Sequence, residues 1–455
     1  MEQTLNLVRS GHDRYLEELK AWLAIPSISS DPERKGAMED CARYTAELLR
    51  QARIENVRVN PTAGHPVVTG DWLHTPGAPT VLIYGHFDVQ PVDPLELWEK
   101  DPFEAHIKDE RIVARGSADD KGQLYMHIKT VEAILQADGR LPVNVKFLCE
   151  GEEEIGSPSL GKFLEDNREY LSADIAVVSD SAMFAEGMPA ITYGLKGLTY
   201  LEIELTGPNR DLHSGTFGGV VANPAEILAR LLTQVKDENG RILIPGFYDK
   251  VVDLTEEERR LINCLPHNDA KYMADLGVDE LWGEHGFTTL ERAGARPTFE
   301  VNGIWSGFTG KGAKTVLPSK ATAKVSSRLV PNQDPQEIME LTEKFFIERA
   351  PKSVKVKITR HHGGRPVVTP LESPYLKAAE RALREAFNHE VYYLREGGSI
   401  PIVADFKTIL GLDTLLLGYA LPDARSHSPN ENLHLPSFFT GIESLVRTFY
   451  YIGEM

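Results

Sequence analysis

VNVKFLCEGEEEIGS, residues 143–157, is an apolar run that stops at four carboxylates in five residues: Glu150, Glu152, Glu153 and Glu154. The run 143–148 has the length and continuity of a strand covered on both faces. Like charges crowded at the end of a buried strand raise each other's pKa and resist desolvation, so a positive partner is expected. The next cation along the chain is Lys162, and the partner must come from elsewhere.

Outward from this stretch the same grammar repeats. TVLIY (80–84) is a second buried run, ending at Gly85-His86-Phe87-Asp88. A helix starts near Lys121, with Leu124, Ile128, Val131, Ile134 and Leu135 at helical spacing. A helix over roughly 158–170 leads to the strand 174–178, which ends at Ser179-Asp180. Upstream, Leu5, Val8, Tyr15, Leu19, Trp22 and Leu23 predict one helix over 3–24, closed by Pro26. A second helix is expected over 37–52, and short strands at 57–60 and 66–69. Apolar strands alternating with amphipathic helices predict an α/β fold with a mainly parallel sheet. Ligands of such sheets lie beyond the carboxyl ends of the strands, which gathers His86, Glu153, Glu154 and Asp180 at one edge.

After Gly194 the pattern changes. Residues 199–206 (TYLEIELT) alternate, as a strand with one wet face does. A helix over 224–236, strands over 298–305 and 320–329, a helix over 334–349 and a strand over 353–360 make an α+β unit, with 237–300 read as irregular and loop-rich. The α/β character returns with a helix over 375–387, the loop Gly397-Gly398-Ser399-Ile400-Pro401, a strand over 413–418, a loop holding His427 and a helix from about 436. The expected division is 1–193 with 370–455 as one domain and 194–369 inserted into it.

The net charge of −18 disfavours nucleic acid and anionic membrane as partners. Cys41, Cys149 and Cys264 form no paired motif, which points to a reducing compartment. No apolar signal core or bilayer-length run is present, so a cytoplasmic location is expected.

Each candidate residue has an ordinary reading by itself. His86 could be a satisfied turn histidine, Asp119 a helix cap, Glu153 and Glu154 the solvated start of a helix, Asp180 a turn and His427 plain loop. Together they are two histidines and three carboxylates beside a spare glutamate. That is a donor set for two borderline-to-hard divalent cations, with no thiolate. If one Asp bridges, each ion receives one His, one private carboxylate and one shared one. Two dications then balance Asp119, Glu154, Asp180 and a bridging hydroxide. Glu153 is left over where a general base is needed. The His86-x-Asp88 pair points to one side of a strand end, so Asp88 can steady the imidazole or another group of the site.

The stretches GHFDV (85–89), RGSADDKG (115–122), EGEEEIGS (150–157), VSDS (178–181), DLHSG (211–215), GAKTVLP (312–318), RLVP (328–331), EGGSIP (396–401) and HSPNE (427–431) occur in this order along nearly the whole chain. In them the chain resembles the two-metal peptidase and deacylase family of carnosinase, cytosolic non-specific dipeptidase, acetylornithine deacetylase and succinyl-diaminopimelate desuccinylase, and within it the dipeptidase branch. The resemblance implies a metallopeptidase catalytic domain with an inserted lid and dimerisation domain. It implies one metal on His86, Asp119 and Asp180 and a second on Asp119, Glu154 and His427. It further implies a cis Asp119–Asp120 peptide, Asp88 in support and Glu153 as general base. The ions are expected to be Zn²⁺ first, with Mn²⁺ or Co²⁺ as alternatives. Arg328 is implied to bind the substrate's C-terminal carboxylate, and Gly397, Gly398 and Ser399 to approach the substrate. His213 and Thr315 are implied to reach into a partner's site in a homodimer, His213 also holding the oxyanion. The expected activity is hydrolysis of dipeptides or short peptides by a metal-bridging hydroxide. The alternative is an N-acyl-amino-acid deacylase using the same ions. A metal-binding protein without catalysis would lack a ligand or the base, and neither is missing here.

Overall fold

The computed structural model describes residues 1–398 and 400–455; Ser399 lies outside the described residues. The chain forms two compact units, Met1–Tyr193 with Thr369–Leu394 and Pro401–Met455, and Gly194–Val368 with Arg395–Ile400. The short segment 395–400, expected with the first domain, packs with the second unit.

The centre of the first unit is a set of parallel strands. Thr80–His86 pairs in parallel with Asn144–Glu150 on one side and Ile175–Val178 on the other, and Thr414–Leu416 continues beyond Ile175–Val178. From Val81 and Val145 onward the first two strands are buried at every position, which is why their sequences are continuous apolar runs rather than alternating ones. Val67–Trp72 and Glu55–Asn60 extend the sheet antiparallel on one side, and Ala190–Leu195 meets Thr414–Leu416 antiparallel on the other. The register sets His86 opposite Glu150, so the histidine and the acidic stretch emerge at the same end of the sheet. The helix Lys121–Asp138 is buried along almost its whole length and stops at Gly139, whose φ of 69° is the left-handed cap a glycine supplies freely.

Three expectations change here. The helix expected over 3–24 is two helices, Glu2–Ser10 and His12–Leu23. Gly11 divides them, and the Tyr15 ring packs so near it that a Cβ would stand 2.9 Å from the ring. The helix expected over 158–170 is only Leu160–Asp166. The loop expected over 397–401 gives way at Pro401 to a helix, Pro401–Asp405, running into a π-turn at Phe406–Leu410.

In the second unit four antiparallel strands run in the order Thr298–Ser306, Lys320–Leu329, Gly197–Thr206, Lys355–Gly364. Burial alternates residue by residue along Gly197–Thr206. The inward set, with Leu201, Ile203 and Leu205, packs in one core with Leu228 and Leu231 of the helix Pro224–Thr233 and with Ile338, Phe345 and Phe346 of Pro335–Arg349. The stretch 237–300, expected to be irregular, holds three helices: Glu256–Asn263, Asp269–Leu276 and Thr289–Ala295. Their faces are too short for helical periodicity to stand out. Two of them nonetheless carry a legible start signal, the reciprocal capping boxes of Thr255 with Glu258 and Thr288 with Glu291.

Candidate metal centre

His86 is the last residue of its strand and is fully buried. Its Nδ1 lies 3.1 Å from the Asp88 carbonyl oxygen. A carbonyl only accepts, so Nδ1 carries the proton and Nε2 is turned to the acidic side groups. There Nε2 stands 3.1 Å from Asp119 Oδ1 and 3.9 Å from Asp180 Oδ2. Asp119 comes from the turn ahead of the helix Lys121–Asp138, and its peptide to Asp120 is cis. The other oxygen of Asp119 is 2.9 Å from His427 Nε2, which is 3.2 Å from Glu154 Oε2. His427 has a φ of 60°, which turns its ring out of a loop that departs from extended backbone at Arg425 and Asn430 as well.

The donor atoms therefore fall into two sets, His86, Asp119 and Asp180, and Asp119, Glu154 and His427, with Asp119 common to both. Within each set they lie within 4.8 Å of one another. Every donor is nitrogen or oxygen, the set preferred by Zn²⁺ and its neighbours when thiolate is absent. Among the described residues, His86 Nε2 and Glu154 Oε1 are buried without a hydrogen-bond partner. Such orphaned atoms cost free energy unless a cation or proton fills the space between them, so the residues fit the metal ions implied by the sequence. A cavity of about 440 Å³ opens onto Asp119, Asp180 and His427.

The electrostatics repeat the point. Burial lifts the Asp180 carboxyl to about 7, and neighbouring Asp119 adds to the rise. Burial likewise raises Glu153 to about 9; His86 opposes this, but Asp180, Glu154 and Asp119 reinforce it. His427 is raised to about 10 by its hydrogen bonds to Asp119 and Glu154. Burial works against the charge of His86, yet the carboxylates of Asp119 and Asp88 outweigh it and hold its pKa well above the usual imidazole range. Protons are held here because buried carboxylates crowd one another and the two histidines, an excess of negative charge that two dications would offset.

Asp88 ties the strand end to the acidic turn. Its carboxylate lies 3.3 Å from His86 Nδ1 and accepts the backbone N–H groups of Glu153 at 3.3 Å and Glu154 at 3.1 Å. The turn Glu153–Ile155 ends at Gly156, with φ 84°. Gln90 donates to Glu154 Oε2 at 2.7 Å.

The other two glutamates of the stretch, which sequence reasoning left without a firm role, are both buried. Glu152 accepts the backbone N–H groups of His65 at 2.8 Å and Ser159 at 3.0 Å. Glu150 accepts the hydroxyls of Tyr84 and Ser157, and burial raises its carboxyl to about 8. A carboxyl raised on folding contributes stability that is present below its unfolded pKa and lost as pH rises toward its folded one, here between about 4.5 and 8. Glu150→Gln keeps the shape and the acceptor oxygen. The urea midpoint of that variant should therefore fall less than that of the wild type between pH 5 and pH 8. Equal slopes would show that Glu150 stays ionised.

Sequence reasoning also passed over two other acids. Asp120 is buried and accepts the His86 backbone N–H at 3.1 Å, and burial with the charge of Asp180 holds it well above the usual carboxylate range. Glu431, the last residue of the quoted HSPNE stretch, is fully buried. One of its oxygens accepts Arg115 at 2.7 Å and Gly116 N–H at 3.1 Å, and the other accepts Ala118 N–H at 2.9 Å and Asp119 N–H at 3.0 Å. It thereby fixes the backbone that presents Asp119. A lone Glu at the end of a loop motif gives no sequence sign of this.

The remaining candidates belong to the second unit. His213 ends the short strand Leu212–His213, which pairs with Val316–Leu317; Thr315 directly precedes that partner strand, and its carbonyl accepts the Ser214 N–H at 3.1 Å. Both side chains are exposed. His213 Nδ1 caps the following turn by accepting the Gly215 N–H at 3.1 Å. Arg328 is the penultimate residue of the strand Lys320–Leu329 and lines a cavity together with Gly397. Gly398 is exposed beside it in the chain.

A family model described as peptidase family M20/M25/M40 matches residues 82–451, a span that contains every residue of the cluster. The chain belongs to this family. It is 32% identical to the Cys-Gly metallodipeptidase DUG1 of Candida albicans, over 97% of this chain and 95% of that protein. It is 30% identical to the human Beta-Ala-His dipeptidase, over 100% of this chain and 93% of that one. Among solved structures it is similar to an M20 family metallo-carboxypeptidase, Sso-CP2 of Sulfolobus solfataricus, with a TM-score of 0.84 and 35% identity over 97% of this chain and 99% of that one. The mixed α/β unit with its parallel centre and the separate antiparallel sheet are the M20 peptidase fold. No described helix of this M20 peptidase is long and apolar enough to cross a membrane.

Proposed function

We propose that the protein is a dinuclear metallodipeptidase that hydrolyses the amide bond of dipeptides and similarly short peptides. The observation that carries this is the shared position of Asp119 between two nitrogen–oxygen donor sets, with Glu153 beside them and in neither. The full-length similarity to proteins named as dipeptidases supports the substrate class.

In this reading His86, Asp119 and Asp180 hold one ion and Asp119, Glu154 and His427 the other, Zn²⁺ first, with Mn²⁺ or Co²⁺ as substitutes. Bound there, divalent ions polarise a carbonyl and bring the pKa of water toward neutrality. Glu153 takes the proton of the attacking water and delivers it to the leaving nitrogen. Asp88 holds the backbone of Glu153 and Glu154 in place for that transfer. The guanidinium of Arg328 receives the substrate's terminal carboxylate, a task its planar fork suits. Gly397, Gly398 and Ser399 bring backbone N–H groups to the substrate. His213 and Thr315 act across a homodimer formed by the inserted unit, His213 on the developing oxyanion, and the enzyme works in the cytoplasm.

The test is a panel of dipeptides set against N-acetyl and N-succinyl amino acids, run on protein stripped with a chelator and reloaded with one ion at a time. Dipeptide turnover should vanish on stripping and return with Zn²⁺, Mn²⁺ or Co²⁺. Activity confined to the acylated compounds would overturn the dipeptidase reading in favour of a deacylase.

A further inference from the structure

The helix Lys121–Asp138 keeps polar side chains among its buried positions, Gln123 and His127 with them. A polar group taken out of water costs free energy unless it is hydrogen-bonded, and an apolar side chain of the same shape packs there without that cost. What these two side chains touch gives a reason for their presence.

Gln123 Nε2 donates to the Ala118 carbonyl at 2.9 Å, and its Oε1 accepts the Tyr419 N–H at 2.7 Å. The Ala118–Asp119 peptide is therefore held from both sides, since Glu431 accepts its N–H at 3.0 Å. His127 stands one turn further along, and positions i and i+4 share a helix face. Its Nε2 lies 2.8 Å from Ser179 Oγ. Ser179 is itself buried and directly precedes Asp180. Burial pushes the His127 imidazole down to about 3, so the ring is neutral where the protein works. The start of the helix is anchored in turn. Lys121 Nζ donates to the carbonyls of Ile25 at 2.8 Å and Trp22 at 3.3 Å. All of these residues belong to the first unit.

One face of one helix thus touches the two turns that present Asp119 and Asp180. The two carboxylates differ in what they serve: Asp119 belongs to both donor sets, and Asp180 only to the set with His86. We infer that Gln123 and His127 are positioning residues that fix the spacing of these turns, Gln123 acting on both ion sites and His127, through Ser179, on the His86–Asp119–Asp180 site alone. The inference rests on the two-ion reading and goes beyond it in assigning the support of each site.

The test is a titration of chelator-stripped protein with Co²⁺, following heat and visible absorption together. The wild type should take up two ions. Uptake of fewer overturns the two-ion reading itself, before any variant is compared. Ser179→Ala and His127→Met should each weaken one ion about tenfold or more, as when other outer supports of a ligand are removed, and should alter the absorption of that ion while leaving the other unchanged. His127→Gln keeps a hydrogen-bonding group and should restore most of the lost affinity. Gln123→Met should weaken both ions, because Asp119 is shared. Ser179→Ala removes a single oxygen, so the test stands even if a replacement within the helix prevents folding. A lower urea midpoint with both affinities unchanged would show that these side chains only pack, and would overturn the inference. Equal weakening of both ions in Ser179→Ala would overturn it as well.

Discussion

Glu153→Gln is expected to lower kcat on a good dipeptide by a factor of about 10² to 10⁴, with bound metal at the wild-type level. Each decade corresponds to about 1.4 kcal/mol of lost transition-state stabilisation. The carboxyl lies beside Glu154 but outside both donor sets. On the proposed reading its replacement removes a proton carrier without removing a ligand. Gln keeps the size, and the turn is held by the backbone hydrogen bond from residue 153 to Asp88, which the substitution does not touch. Without cations Glu153 is raised to about 9 by burial, with Asp180 and Glu154 adding to the rise. On the proposed reading two dications would offset those charges and bring it toward the range where it gains and loses a proton near neutral pH. Metal analysis separates the alternatives. Unchanged turnover means that another group moves the proton, and loss of metal along with turnover makes Glu153 a ligand.

The second large effect is expected at Glu431, which touches neither donor set as a ligand. Glu431→Ala leaves the Arg115 guanidinium buried opposite an empty site; among the described residues its other acceptor is the Pro91 carbonyl at 2.9 Å. Breaking one side of such a pair costs about 3–5 kcal/mol, because the remaining charge is uncompensated. The backbone N–H groups of Gly116, Ala118 and Asp119 lose their acceptor at the same time. The urea midpoint should fall, and metal affinity should weaken about 10- to 100-fold, as when other outer supports of a ligand are removed. The double replacement Arg115→Met with Glu431→Leu separates the two contributions. It should recover much of the stability, since no buried charge is left, but not the metal affinity, since the turn before the helix still lacks its acceptor. Full recovery of both would show that Glu431 does no more than neutralise Arg115.

Much of this was legible because burial on two faces writes a simple sign. The strands Thr80–His86 and Asn144–Glu150 are apolar without alternation, and the edge of a parallel sheet is where ligands gather. The alternating strand Gly197–Thr206 was legible for the opposite reason, one face being wet. The three helices between residues 256 and 295 were not, since each has at most eight residues and buries little. In them the capping boxes, rather than periodicity, hold the information.

By itself, then, the sequence determined the alternation of elements, the residue types of the metal centre and the strand ends that carry most of them, because these depend on local pattern and donor chemistry. The tertiary structure alone decided what each carboxylate touches. Four glutamates that look alike in residues 150–154 separate into an acceptor for the Tyr84 and Ser157 hydroxyls, an acceptor for two backbone amides, a residue outside both donor sets and a partner of His427. It also brought Glu431 to Asp119 across 312 positions of chain. Contacts between positions that far apart leave no periodic trace, and the pKa of a carboxyl is set by what surrounds it in space rather than by its neighbours along the chain.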